Sequence, residues 1–365
     1  MDLLSPNTVL IFAFTIGIIA GYAVRRAKLC TFGAIESLLF GGDARRVKAI
    51  AAGLGIALAI TQVLILAGLL NVGTTPYLAG AASPLAIALG GCLFGFGMAL
   101  VGTCAFGCLV RLGGGDLRSL VAILLIGAVA FASLFGTLMA ARAFLTANLP
   151  SLPPVPADLP TALELAGVEG SRAWLSGAVA CGLLIWALSD RRLWAARRLL
   201  VAGVALGLLV AAGWMVTGVF PDTLSSSQTP QSLTFISPLA RLPFGMLYTE
   251  QSLAAFGTMT AFGVIAGSFL SALVARDFRW EAFDAHQEML RHLLGASLMG
   301  FGGALAGGCT IGQGLTAGSL LALSWSFAIA GIVLGAWFGT FLLIGGWCNM
   351  RGWIRARIWG VSQSH

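Results

Sequence analysis

The chain has 365 residues, 58% of them hydrophobic and only 10% charged, with a mean hydropathy of +0.93. A soluble domain carries about 25% charged residues, so this composition defines a membrane protein and all but excludes a soluble enzyme. The net charge of +7 sits in short basic clusters between apolar runs, the pattern of membrane topology and not of nucleic-acid binding.

A membrane span needs roughly 20 apolar residues, with shorter ones tolerated. Nine candidates follow in chain order: residues 9–24, 45–70, 84–101, 119–140, 173–188, 199–218, 251–274, 290–306 and 319–346. The first run has no basic residue before it and no small-residue cleavage site, so it reads as a mature span and not a signal peptide. Four apolar pieces are too short to span and carry helix breakers: Cys30–Phe40, Thr103–Leu112, Ser232–Gly245 and Gly308–Gly318. Irregular backbone at membrane depth survives only when buried in protein or lining a cavity, and these pieces are expected to be re-entrant or half-helical.

Basic residues follow the odd-numbered spans, in the clusters Arg25/Arg26/Lys28/Arg45/Arg46/Lys48, Arg111/Arg118, Arg191/Arg192/Arg197/Arg198, Arg276/Arg279/Arg291 and Arg351/Arg355/Arg357. The intervening loops at 71–83, 141–172 and 219–250 are nearly free of bases and hold most of the prolines, including an external linker at Pro150–Pro156. The positive-inside rule then puts the N-terminus outside and the C-terminal tail, 351–365, in the cytoplasm.

The segment Gly95–Gly107 (GFGMALVGTCAFG) returns as Gly300–Gly312 (GFGGALAGGCTIG), offset by 205 residues, and each copy ends in a glycine-flanked cysteine. Thr31-Phe32 has a fainter partner in Thr234-Phe235. The spans that precede Cys104 and Cys309 run in opposite directions in this topology, so the duplication is expected to be inverted, as in many secondary transporters. The predicted fold is an all-α polytopic membrane protein of about nine transmembrane helices plus four short re-entrant helices. Residues 1–140 form the first inverted repeat. Residues 141–198 supply an external linker, a linking transmembrane helix and a basic cytoplasmic loop. Residues 199–350 form the second repeat, followed by the tail.

The chemistry resides in the cysteines. Seven of them, an odd number mostly within apolar runs, do not suggest a disulfide framework. Cys92, Cys181 and Cys348 read as packing residues. Cys30, Cys104 and Cys309 are different, because each opens a short piece and each is followed within three residues by glycine. A broken backbone there exposes N–H groups and the positive end of a helix dipole, which suits an anion. A thiol adds a weak donor and a soft sulfur, and together these fit an anion with a terminal sulfur.

Cys108, four residues after Cys104, extends the thiol path or pairs with Cys104 in a disulfide; the second copy has Gln313 at that position. Thr31, Thr103, Thr310 and Gln313 offer hydrogen bonds to substrate oxygens or satisfy broken backbone. Glu36, the acid within the first short piece, is a proton-coupling candidate, although pairing with Arg25, Arg45 or Arg46 is the preferred reading. The histidines, His286, His292 and His365, fall in the predicted cytoplasmic loop or tail, and no metal or other cofactor is expected.

The motifs Cys30-Thr31-Phe32-Gly33-Ala34-Ile35-Glu36, Gly102-Thr103-Cys104-Ala105-Phe106-Gly107 and Gly307-Gly308-Cys309-Thr310-Ile311-Gly312-Gln313-Gly314 resemble those of the YeeE/YedE sulfur-transport family. With the span order, the resemblance covers nearly the whole chain. It implies an inverted-repeat helical fold of hourglass shape in the bacterial inner membrane and thiosulfate as the imported substrate. It also implies three path-lining cysteines, by position Cys30, Cys104 and Cys309, that pass thiosulfate by transient S–H···S hydrogen bonds. Some relatives are linked to other sulfur or selenium species. Sulfur handover would need a separate cytoplasmic sulfur-carrier or sulfurtransferase protein. The competing readings are a channel of the same architecture and a membrane thiol–disulfide protein using Cys104 and Cys108.

Overall fold

Inside a bilayer each backbone polar group must find its partner within the protein, and for a lone apolar run that means a helix. The computed structural model describes residues 6–78, 83–149, 158–165, 167–168, 170–219, 229–247 and 255–344. The predicted linker at 150–156, Cys348 and the tail at 351–365 lie outside the described residues.

The first half contains α1 (Pro6–Ala27), α2 (Thr31–Leu39), α3 (Arg45–Leu66), α4 (Pro84–Val101), α5 (Ala105–Leu112) and α6 (Leu117–Phe135). The middle contains α7 (Met139–Asn148), α8 (Leu159–Leu165), α9 (Ser171–Leu188) and α10 (Arg191–Ala195). The second half contains α11 (Arg197–Gly218), α12 (Ile236–Leu247), α13 (Phe256–Ala275), α14 (His286–Ala306), a π-helical turn (Gly312–Ala317) and α15 (Leu323–Leu343). Among the described residues there are only two isolated β-bridges and no strand. Among the described residues, eight stretches are long and apolar enough to cross a membrane. The remaining long helix, α14, has 21 residues but carries His286, Glu288, Arg291 and His292 in its first two turns. Exposed Ile11, Leu124, Ile185, Val201 and Val274 give the helices an apolar outer surface suited to lipid. The chain is an all-α, multi-pass membrane protein.

All four short pieces are helical turns, α2, α5, α12 and the π turn. The segment at 141–172, expected as plain linker, also holds α7 and α8. His286 and His292 lie on α14 and not in a loop; His292 is buried, with Nδ1 2.9 Å from the Glu288 carbonyl oxygen.

Glycine decides how closely the long helices approach. A Cβ on Gly95 would stand 2.1 Å from the Ile332 carbonyl oxygen, and one on Gly335 would stand 1.9 Å from that of Cys92. Along this α4–α15 seam, contacts pair residue 88 with 331 and 92 with 335, so the two helices run parallel. The α3–α11 seam is also parallel, with Gly203 against Ala49 and Gly207 against Gly53. Between α4 and α14 the register reverses: Gly90 meets Gly302 and Gly97 meets Gly295, which makes this pair antiparallel.

The break that follows each copy of the repeated segment has the same cause. Gly102, at φ +78°, ends α4, and Gly307, at φ +74°, ends α14. That left-handed conformation is cheap only for glycine. The chain leaves the helix there and starts a new short one three residues later at Ala105 and five residues later at Gly312.

Candidate functional site

Cys104 is the N-cap of α5, with its Sγ accepting a hydrogen bond from the Gly107 amide at 3.3 Å. Cys309 repeats the geometry three residues before the π turn begins, its Sγ accepting from the Gly312 amide at 3.4 Å. Cys30 caps α2 with extended backbone and no side-chain cap bond. Sulfur therefore marks the N-terminal end of three broken elements, where free amides and the helix dipole give partial positive charge.

Side chains from both halves meet at the first two thiols. Thr31 Oγ1 donates to Cys104 Sγ at 3.0 Å and shares a 3.3 Å hydrogen bond with Thr310 Oγ1. Cys30 Sγ and Thr103 Oγ1 are 3.6 Å apart in a further hydrogen bond. Cys30, Thr31, Cys104 and Thr310 line one narrow cavity with Phe106 and Ile311. Its free volume is only about 20 Å³, little more than one water requires. The cavity has no room for anything as large as a tetrahedral oxyanion.

Cys309 is fully buried on the far side of this constriction. The Phe106 and Phe235 rings, with centroids 4.9 Å apart, join α5 to the start of the α12 segment. Beyond Cys309, a Cβ on Gly312 would lie 2.7 Å from Thr234 Oγ1 and 3.2 Å from Tyr77 Oη, so those hydroxyls cover the backbone that binds the thiol. They face a vestibule of about 280 Å³ that also touches Ser232, Gly307 and Gly308.

A larger, basic cavity of about 560 Å³ opens at the opposite end, by the N-termini of α3 and α11, lined by Arg45, Arg46, Arg197 and Arg198. Hydrogen bonds from Arg45 hold the Asp43 carboxyl down to about 2, so Asp43 stays ionised and offsets Arg45. Arg46 reaches inward, with Nη1 3.4 Å from the Gly33 carbonyl oxygen, one turn from Cys30.

The other expected residues have other places. Cys108 is a buried free thiol outside the cavity lining, and Cys104 is free as well. Gln313 is buried and occupied by protein: its Nε2 donates to the Ala306 carbonyl at 2.7 Å and its Oε1 accepts from Ser324 at 3.5 Å. It braces the break after α14. Glu36 is exposed, and its three expected partners look elsewhere: Arg25 pairs with Asp277, Arg45 with Asp43, and Arg46 with Gly33. No metal-binding cluster of His, Cys, Asp or Glu occurs among the described residues. Tyr77 was not legible as a site residue, because nothing in its local sequence distinguishes it from a packing aromatic, and Phe235 stood out only through the faint match of Thr234-Phe235 to Thr31-Phe32.

Broken helices meeting at an occluded, hydroxyl- and thiol-lined cavity, between vestibules at opposite ends of a multi-pass bundle, define a membrane transporter and not an enzyme. The chain belongs to the sulphur transport family, whose model matches residues 26–338. It is similar to the thiosulfate transporter TsuA of Escherichia coli (strain K12), 26% identical over 90% of this chain and 92% of the relative. It is also similar to the thiosulfate transporter TsuA of Spirochaeta thermophila (strain ATCC 700085 / DSM 6578 / Z-1203), 27% identical over 90% of this chain and 97% of that relative.

Proposed function

We propose that this protein imports thiosulfate, or a closely related sulfur anion, across a bacterial inner membrane along a path through Cys309, Cys104 and Cys30. The observation that carries the reading is the Thr31–Cys104–Thr310 hydrogen-bond cluster, in which thiols and hydroxyls from both halves line one closed cavity. Helix N-termini stand in for part of the hydration an anion loses there. Each S–H donates weakly to the terminal sulfur, so the anion is passed on and no covalent bond forms. In this reading the halves are inverted copies, which the antiparallel α4–α14 contact supports. The Arg45/Arg46/Arg197/Arg198 cavity faces the cytoplasm, as its basic character favours. A separate cytoplasmic carrier protein would receive the sulfur there.

The test is uptake of labelled thiosulfate into proteoliposomes. Uptake is expected for the wild-type chain and lost in Cys104→Ala and Cys309→Ala, with both variants still folded. Normal uptake in both would remove the cysteines from the path. Cys108→Ser is expected to transport normally, because Cys108 does not line the cavity. Loss of function there would favour the thiol–disulfide reading.

A further inference from the structure

Two arginines on the vestibule wall have no role in the path described so far. Arg142, on α7, and Arg241, on α12, both line the 280 Å³ vestibule beside Tyr77 and Thr234. Neither forms an ion pair among the described residues, whereas Arg25, Arg45, Arg118 and Arg172 all do. Arg142 Nε is buried without any hydrogen-bond partner. Among the described residues no carboxylate lines the vestibule, while Thr229, Gln231, Ser232, Thr234 and Ser237 supply polar groups there.

The buried, unpartnered Arg142 Nε carries a desolvation cost that a bound anion would offset, and the exposed Arg241 adds a second positive charge at the same cavity. Arginine suits this task because its planar fork donates two parallel hydrogen bonds to an oxyanion and never loses its charge. Two such groups match the double charge of a sulfur oxyanion.

We propose that Arg142 and Arg241 form an outer capture site for a divalent sulfur oxyanion, one step before Cys309. The inference rests on the transport reading above and adds a division of labour. The vestibule collects by charge and oxyanion shape, and the thiols inside select for terminal sulfur. Gly312 links the two stations, since its amide donates to Cys309 Sγ while the vestibule hydroxyls of Tyr77 and Thr234 lie against its other side. Sulfate, which has the charge and the oxygens but no terminal sulfur, occupies the outer site and goes no further.

The experiment is calorimetric titration of the purified full chain with sodium thiosulfate and with sodium sulfate, at fixed ionic strength, alongside the liposome uptake assay. Arg142→Gln and Arg241→Gln are each expected to weaken binding of both anions about tenfold, the scale of one charged hydrogen-bond donor. The uptake KM should rise in parallel, with the maximal rate retained. Cys309→Ala should keep the binding and lose the uptake. Equal affinity in the wild-type and doubly substituted chains, or no binding of either anion by the wild type, overturns the site. Arginine-dependent binding in a protein that takes up no thiosulfate leaves the site standing and removes the transport reading instead. If the substitutions unfold the chain, phenylglyoxal modification of the wild type decides. Protection of the Arg142 and Arg241 peptides by thiosulfate supports the site, and unchanged modification overturns it.

Discussion

The cavity depends on a few small polar atoms whose individual worth can be tested. Thr31 spends its one hydroxyl on both Cys104 Sγ and Thr310 Oγ1, tying α2 to the beginning of two other broken elements. Thr31→Val keeps the shape and removes both contacts. With about 1 kcal/mol net for each hydrogen bond, thiosulfate uptake is expected to fall about tenfold or more while the melting temperature changes little. Unchanged uptake would make Thr31 a spectator. Cys104 and Cys309 stood out in the sequence because each follows a glycine that ends a helix, Gly102 and Gly307, whereas the glycine after Cys30 lies inside α2. For Gln313 the sequence left a substrate contact and the satisfaction of broken backbone both open, and in the fold its amide does the second. Its sequence context is the same as theirs, and only the fold turns its amide back onto the Ala306 carbonyl.

At the scale of elements, packing without a hydrophobic driving force between helices relies on close backbone approach. The α4–α15 seam is the clearest instance. Gly335→Leu would drive a side chain into the Cys92 carbonyl, while Gly182 on α9 has nothing within 4 Å of its would-be Cβ. Gly335→Leu is expected to cost about 3 kcal/mol or more, the upper end of overpacking penalties. Gly182→Leu should be close to neutral. Thermal melting and the monodisperse fraction in detergent would separate the two, and equal behaviour would contradict the seam. Spans and half-helices were legible in the apolar runs and their glycine breaks, although their ends moved by a few residues. The helices α7 and α8 were missed, because short interfacial segments lack the long apolar run that announces a span.

At the scale of the molecule, the two halves are also joined away from the membrane core. Arg118, at the start of α6, bonds Asp116 at 3.0 Å and Glu288 at 3.1 Å, and pairs with Glu281 as well. The segment before it runs beside 279–281, with the Leu117 amide 2.8 Å from the Glu281 carbonyl oxygen. Arg118→Ala leaves the mostly buried Asp116 and Glu288 without their counter-charge. A loss of about 1–3 kcal/mol is expected, between the values for exposed and buried pairs. Arg45→Ala breaks only a local, half-exposed pair with Asp43 and should leave the melting temperature nearly unchanged. Comparable melting temperatures for both variants would show that the halves are not held through Arg118.

Composition and the spacing of apolar runs were enough to define a multi-pass helical membrane protein, because a bilayer admits few ways of satisfying a backbone. The repeated glycine–cysteine segment pointed to Cys104 and Cys309 for a related reason, since Gly102 and Gly307 end their helices in a conformation cheap only for glycine. Which residues meet across the halves was decided by the tertiary structure alone. The Thr31–Cys104 contact joins residues 73 apart and the Thr31–Thr310 contact residues 279 apart. Arg142 and Arg241 come to one vestibule from α7 and α12 in the same way. Contacts of that range depend on how the helices pack, and no local pattern along the chain records them.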